Sequence, residues 1–270
     1  SKINKEIVKS LLGMYSRSLL RGGFVTMEEK RKGVTQNLNL VYDIVAYCNR
    51  YGIPVNHFLE IISDQKVVPM LRGKGTEYAV LDTLKRCLSP RVWRVEKSNL
   101  NPQPGILDED IVLINLKTSI RIIVESKNAV RGSFSLGTKL TNKPHFKVKC
   151  HRSRSFIGRE TNDRYFDEEF DILFTNPSNA IILPGKQFDL KSDPRLMSLL
   201  TDLYGTTAPE SLFAKANEDW MIAISKEISV NGVIPRTPVV LMKDDPHWVR
   251  ITQLNSVLDK VLQIKVEKLV

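Results

Sequence analysis

The chain has 270 residues, of which 42% are apolar, enough for one large domain or for a core with an appended subdomain. Lys and Arg number 40 against 30 Asp and Glu, and the formal charge of +10 favours a polyanionic partner, nucleic acid before an acidic membrane. No apolar run approaches the roughly 20 residues that span a bilayer, so we expect no membrane segment.

The N-terminal quarter of the chain, residues 1–70, is predicted to be a helical region. In NLNLVYDIVAYCNRYG four apolar residues share one helical face, Leu40, Ile44, Tyr47 and Tyr51, and Gly52 follows as a C-terminal cap. A second, shorter helix is predicted in VNHFLEIISD.

Residues 71–185 are predicted to hold a mixed α/β core. A helix in GTEYAVLDTLKRCL begins at Thr76 and ends near Pro90. Four strands follow it, each bounded by turn residues, in RVWRVEK, DIVLIN, RIIVESK and FDILFTN. Strands in this order, with helices before and after them in the chain, predict a central mixed β-sheet flanked by helices.

Residues 186–270 are predicted to be mostly helical and to pack with the core as one domain. Helical spacing occurs in PRLMSLLTDLYG, in PESLFAKANEDWMIAISKEI and in ITQLNSVLDKVLQIKVEKL. One strand, TPVVLMK, is predicted between the last two helices. We expect Trp93, Trp220 and Trp248 to be core residues.

The strands DIVLIN and RIIVESK form the most informative stretch of the chain. As a hairpin that turns between Lys117 and Thr118, they set Ile111 opposite Val124, so that apolar residues face apolar residues. The apolar pattern therefore supports this one register.

The same register sets two carboxylates, Asp110 and Glu125, directly opposite each other, with Cβ atoms roughly 5 Å apart. Like charges this close repel and raise a pKa unless a cation lies between them, and a divalent cation with oxygen ligands meets that need. Lys127 lies two residues beyond Glu125 and projects from the same face of the strand. With a metal as Lewis acid, this trio is suited to activate water against a phosphodiester.

The alternative interpretation is that Glu125 and Lys127 mark the solvated end of a central strand. Apolar residues on both faces of the strand, the paired aspartate and the basic chain favour the functional interpretation.

Asp110, followed one hairpin later by Glu125-Ser126-Lys127, resembles the signature of the PD-(D/E)XK nuclease superfamily, and in particular of type II restriction endonucleases. The resemblance covers residues 72–176 and implies a restriction-endonuclease-like core with helical N- and C-terminal additions. It also implies that Asp110 and Glu125 bind Mg²⁺. By the same resemblance, the backbone carbonyl of Ser126 adds a ligand and Lys127 handles the attacking water.

The resemblance leaves the roles of two acidic residues, Asp108 and Glu77, to be decided. Glu109 rather than Pro precedes Asp110, and Asp108 is the rival metal ligand, although its partner in the register would be Lys127. In this family the helix before the first strand often carries an acidic residue that joins the metal site, and Glu77 is similar. The alternative for Glu77 is a partner of the helix dipole in the first turn.

A basic segment that follows the strand RIIVESK, residues 143–164, is predicted to lie against DNA. It holds seven Lys and Arg against two acids, interleaved with Ser and Asn, a mix that contacts phosphates and base edges. Within it Phe146, Val148 and Cys150 alternate with basic residues, as in a strand with one basic face. The alternative is a solvated basic loop. We predict DNA contacts from six residues: Arg131, Lys147, Lys149, His151, Arg152 and Arg154.

The predicted function is Mg²⁺-dependent endonucleolytic hydrolysis of double-stranded DNA by a site-specific type II restriction enzyme. The alternatives are a DNA repair or recombination nuclease of the same superfamily, and a non-enzymatic basic DNA-binding protein whose hairpin carboxylates are structural. We expect a homodimer, with a heterodimer as the alternative. The three cysteines give no disulfide framework, which favours a reducing compartment, and the resemblance implies a prokaryotic cytoplasm.

Overall fold

The chain divides into two compact units, Ser1–Val68 and Pro69–Val270. The computed structural model describes residues 27–98, 109–131, 146–148, 150, 164–177, 194–205, 218–235, 239–241 and 246–268. No helix within these ranges is long and apolar enough to cross a membrane.

The N-terminal unit is helical where it is described. Helix α1 spans Met27–Arg50, a 3₁₀ turn covers Val55–His57, and helix α2 spans Phe58–Ile62. Gly52 has a φ of 65°, the left-handed conformation that glycine adopts readily after a helix C-terminus. The two helices predicted here are confirmed.

Helix α3 spans Val67–Cys87 and starts earlier than its sequence predicts. Pro69 lies in the first turn, where proline is tolerated because the N–H of that turn has no partner inside the helix. Thr76, the predicted start, lies within the helix, and its hydroxyl donates a hydrogen bond to the carbonyl oxygen of Arg72 one turn back (2.9 Å). The predicted start at Thr76 is therefore wrong, whereas the helix itself is confirmed.

Two β-sheets give the second unit a mixed α/β fold, which confirms the predicted class. The central sheet has six strands, in spatial order β1 (Trp93–Lys97), β2 (Ile111–Asn115), β3 (Arg121–Ser126), β6 (Ile172–Thr175), β7 (Met221–Ile224) and β9 (Val249–Arg250). In it β3 and β6 run parallel, and the other neighbouring pairs are antiparallel. The second sheet has three antiparallel strands, β4 (Ala129–Arg131), β5 (Phe146–Val148) and β8 (Val239–Leu241).

The β2–β3 hairpin has the register that its apolar pattern predicts. Ile111 pairs with Val124 in the middle of this sheet. The Asn115 side chain closes the turn, because its Oδ1 accepts hydrogen bonds from the backbone N–H groups of Lys117 (3.0 Å) and Thr118 (3.1 Å). The predicted pairing and the predicted turn are confirmed.

Both faces of the central sheet are covered, and for this reason β3 can be apolar on both sides. Helix α3 and helix α6 (Leu254–Glu267) cover one face, where Ile122 and Val124 are fully buried. Helix α4 (Pro194–Tyr204) and the three-stranded sheet cover the other face, where Ile123 packs. A charged residue at the end of β3 therefore enters a largely buried environment.

One predicted helix of the C-terminal region is wrong in its second half, whereas residues 209–217, most of its first half, lie outside the described residues. The second half of PESLFAKANEDWMIAISKEI forms strand β7 and the four-residue helix α5 (Ser225–Ile228). All of β7 is buried between β6 and β9, and pairing with two neighbours outweighs the helical spacing of its apolar residues. Strand β8 and the helices α4 and α6 are confirmed. Trp93, Trp220 and Trp248 are buried, as expected.

Candidate active site

Five residues predicted for the site lie at one end of the central sheet. Asp110 precedes β2, Glu125 and Ser126 end β3, Lys127 follows β3 directly, and Glu77 comes from α3. The three acidic residues are buried, since none is more than 8% exposed. Buried carboxylates are costly unless they are paired or hydrogen-bonded, so their partners define what this site can do.

Glu125 and Lys127 form an ion pair that also contains Tyr165. Lys127 Nζ lies 2.5 Å from Glu125 Oε1. The Tyr165 hydroxyl donates to the same oxygen at 2.8 Å and accepts a hydrogen bond from Lys127 Nζ at 3.0 Å. Burial lowers the pKa of Lys127, because it disfavours the charged ammonium. The acidic groups around it, of which Glu125 has the largest effect, nevertheless raise this pKa well above its usual value. At neutral pH Lys127 is therefore a cationic hydrogen-bond donor and not a base.

Asp110 is held by the residue that separates Glu125 from Lys127. Ser126 donates two hydrogen bonds to Asp110 Oδ2, one from its backbone N–H at 2.9 Å and one from its hydroxyl at 3.0 Å. The pKa of Asp110 is raised to about 7, first by burial and then by the charges of Glu125 and Glu77. Lys127 and the Ser126 N–H oppose this shift without cancelling it. Mutual repulsion among carboxylates is the condition that a divalent cation relieves.

Glu77 lies between two lysines. Its Oε2 is 2.6 Å from Lys97 Nζ and 2.8 Å from Lys74 Nζ. Lys97 also donates a hydrogen bond to the backbone carbonyl oxygen of Asp110 at 3.0 Å, so it joins the end of β1 to α3 and to the start of β2. Because α3 begins at Val67, Glu77 is not in its first turn, and the alternative role as a dipole partner is wrong.

The donor set fits Mg²⁺, provided that water completes the coordination. Within the described ranges, no three His, Cys, Asp or Glu side chains are arranged to hold a metal ion together. Mg²⁺ usually keeps several waters and takes only one or two carboxylates from the protein, and Asp110 and Glu125 supply two. The described contacts of each carboxylate converge on a single oxygen, Oδ2 of Asp110 and Oε1 of Glu125. A ligand role for the Ser126 carbonyl stays a prediction.

Two site residues, Lys97 and Tyr165, were missed by sequence reasoning. Lys97 reaches Glu77 only because β1 is paired with β2, and nothing in RVWRVEK distinguishes its last residue. Tyr165 lies 38 residues after Lys127 and belongs to no motif. Its position follows from a contact distant in sequence, a hydrogen bond from the Ile234 N–H to the Tyr165 carbonyl (2.9 Å), and from local edge-on packing against Phe170, with ring centroids 5.4 Å apart.

Two of the six residues predicted to contact DNA are described. Arg131 ends β4, and Lys147 lies half-buried in the middle of β5. The alternation predicted around Lys147 is confirmed there, because Phe146, Val148 and Cys150 are fully buried. A DNA contact stays a prediction for both basic residues. Outside the described residues lie Lys149, His151, Arg152, Arg154 and the rival metal ligand Asp108.

Comparison of the chain with protein-family models, with curated proteins and with solved structures finds no match. The resemblance to PD-(D/E)XK nucleases thus rests on Asp110, Glu125 and Lys127 and on their arrangement. A functional proposal has to be argued from the geometry and the charges of this cluster.

Proposed function

We propose that the chain is a Mg²⁺-dependent endodeoxyribonuclease that hydrolyses phosphodiester bonds in double-stranded DNA at specific sites, in the manner of type II restriction enzymes. The observation that carries the proposal is the Glu125–Lys127 ion pair beside the buried Asp110, at one end of the central sheet. The formal charge of +10 supports a polyanionic substrate.

Each of these side chains has a role in the proposed hydrolysis. Asp110 and Glu125 would hold Mg²⁺, and the bound ion would supply Lewis-acid polarisation of the phosphate. Lys127 donates a hydrogen bond to the attacking water or to a phosphate oxygen, and its charge stabilises the negative charge that develops there. The water oxygen forms a bond to phosphorus and the water gives up a proton to solvent, one P–O ester bond breaks, and the departing oxygen takes up a proton from solvent.

Plasmid DNA incubated with the protein, in Mg²⁺ and separately in EDTA, tests this function. We expect discrete fragments with Mg²⁺ and intact plasmid with EDTA. Cleavage confined to branched or damaged DNA would instead indicate the repair or recombination nuclease. Binding without any cleavage would indicate the non-enzymatic DNA-binding protein.

Variants of the ion pair test the assignment of the site. We expect Glu125→Ala and Lys127→Ala each to reduce the cleavage rate by orders of magnitude. Either change leaves one buried charge without its partner, which is itself destabilising. The double variant Glu125→Gln/Lys127→Met removes both charges and is the matched control for folding. A single variant that cleaves at a rate near wild type would show that the site is assigned wrongly.

A further inference from the structure

We propose that Tyr165 is a positioning residue that fixes the Lys127 ammonium against the Glu125 carboxylate, an inference that rests on the proposed nuclease function. Three polar atoms are in mutual contact: Tyr165 Oη to Glu125 Oε1 at 2.8 Å, Lys127 Nζ to Tyr165 Oη at 3.0 Å, and Lys127 Nζ to Glu125 Oε1 at 2.5 Å. They form a closed triangle, so neither charged group can rotate away without breaking two contacts.

A tyrosine hydroxyl is suited to this position because it can donate to the carboxylate and accept from the ammonium at the same time. The ammonium also lies over the ring, 5.1 Å from its centroid, which adds a cation–π contact to the hydrogen bond. A lysine side chain is otherwise flexible, and only a small part of its conformational space aims Nζ at a reacting group. Tyr165 therefore restricts Lys127 without neutralising it.

Tyr165 is itself held rigidly, as a positioning residue must be. The N–H of Ile234 donates to its carbonyl oxygen at 2.9 Å, and the adjoining Phe166 forms a β-bridge with Val233. Phe170 packs against its ring. These contacts come from segments outside the β2–β3 hairpin, so the geometry of the Glu-x-Lys pair depends on a part of the fold that the motif does not include.

The variant Tyr165→Phe removes only the hydroxyl and tests the inference. We expect kcat for DNA cleavage to fall roughly 10- to 100-fold, with KM for DNA little changed. Residues that orient metal-binding side chains without binding the metal themselves commonly have effects of this size. We also expect the dissociation constant for Ca²⁺, measured by calorimetry without DNA, to rise. Wild-type kcat together with wild-type Ca²⁺ affinity would overturn the positioning role.

Tyr204→Phe is the matched control. The Tyr204 hydroxyl donates to Asp219 Oδ2 at 3.0 Å, and Arg250 contacts the same oxygen at 3.0 Å, so its surroundings repeat the tyrosine, carboxylate and cation of the site. Its carboxylate is not one of the site carboxylates. We expect Tyr204→Phe to lower Tm about as much as Tyr165→Phe and to leave kcat and Ca²⁺ affinity unchanged; an equal loss of kcat in both variants would overturn the inference.

A measurement without metal or DNA separates failure of this inference from failure of the proposed function. In metal-free protein, Tyr165→Phe is expected to lower Tm less in a Lys127→Met background than in wild type, because the hydroxyl has then already lost one partner. Additive losses of Tm would overturn the inference. If the losses of Tm are non-additive but the protein neither cleaves DNA nor binds Ca²⁺, the contact between Tyr165 and Lys127 is real. The nuclease function is then overturned and, with it, the positioning role.

Discussion

Asp110→Asn is predicted to stabilise the metal-free protein at neutral pH while abolishing cleavage. The Asp110 carboxyl is buried near Glu125 and Glu77, and its pKa is raised from 3.8 to about 7. At pH values between these two, the Asp110 carboxyl is protonated in the folded state and largely ionised in the unfolded state. The stability that this carboxyl contributes is therefore fully present below 3.8 and is lost as pH rises through about 7. Asparagine is neutral throughout and keeps an oxygen that accepts from Ser126.

The size of the effect follows from the difference between the two pKa values. A rise from 3.8 to about 7 is about three units, and at about 1.4 kcal/mol per unit it corresponds to at most about 4 kcal/mol. The asparagine amide loses part of this gain, because its N–H groups need acceptors in a buried site. We therefore expect Asp110→Asn to raise the free energy of unfolding by at least about 1 kcal/mol near pH 8, and to change it little near pH 4.

Urea unfolding of the metal-free wild type and of Asp110→Asn across this pH range measures the difference. Asp219→Asn is the control, because burial also raises the pKa of Asp219 but Arg250 pairs with it at 3.0 Å. Removal of the Asp219 charge leaves Arg250 without its partner and is expected to destabilise the protein. If the free energies of unfolding of wild type and Asp110→Asn differ by the same amount near pH 4 and near pH 8, the reasoning is refuted.

Two further predictions concern other basic residues. Lys97→Met leaves Glu77 with Lys74 alone, and we expect a loss of about 1–3 kcal/mol in the free energy of unfolding together with slower plasmid cleavage; unchanged unfolding would show that the contact contributes nothing. For Arg152→Ala and Arg154→Ala, loss of a phosphate contact should reduce the slope of log K against log salt by about 0.9, whereas loss of a contact to guanine should cost about 1–3 kcal/mol and relax the preference at one base pair. Anisotropy titrations at several salt concentrations distinguish these cases, and unchanged binding and specificity in both variants would contradict a DNA contact.

The hairpin could be predicted because all the evidence for it is local. Its register follows from a short turn and from apolar residues that face each other, such as Ile111 and Val124. The same register brings Asp110 and Glu125 to one end of the sheet. Three of the charged groups of the cluster could thus be proposed from a single stretch of sequence that includes Lys127.

What could not be predicted depends on contacts between distant parts of the chain. The apolar run in β7 suits a helix as well as a strand, and only its pairing with β6 and β9 decides between them. Lys97 reaches the site through the pairing of β1 with β2, and Tyr165 is fixed there in part by a hydrogen bond from Ile234, which is far away in sequence. Local patterns show which face a side chain occupies but not which distant residue meets it there.

The charges of the cluster are distributed unequally, and Asp110 differs from the other two carboxylates. Lys127 pairs with Glu125, and Lys97 and Lys74 pair with Glu77. Asp110 is held instead by the two hydrogen bonds from Ser126. An added cation therefore gains the most electrostatic stabilisation beside Asp110, because the charge of this carboxylate has the least direct compensation.

This distribution predicts that a proton and a metal ion compete for Asp110. Below the pKa of about 7 the carboxyl is protonated, and binding of a divalent cation has to release that proton. We expect the Ca²⁺ affinity of the wild type to rise with pH up to about 7 and then to level off, with up to about one proton released per ion bound at about pH 6. Calorimetry in buffers of different ionisation enthalpy counts the released protons, and Asp219→Asn should give the same count as the wild type. Affinity that does not change with pH would contradict the raised pKa, or would place the ion on other ligands.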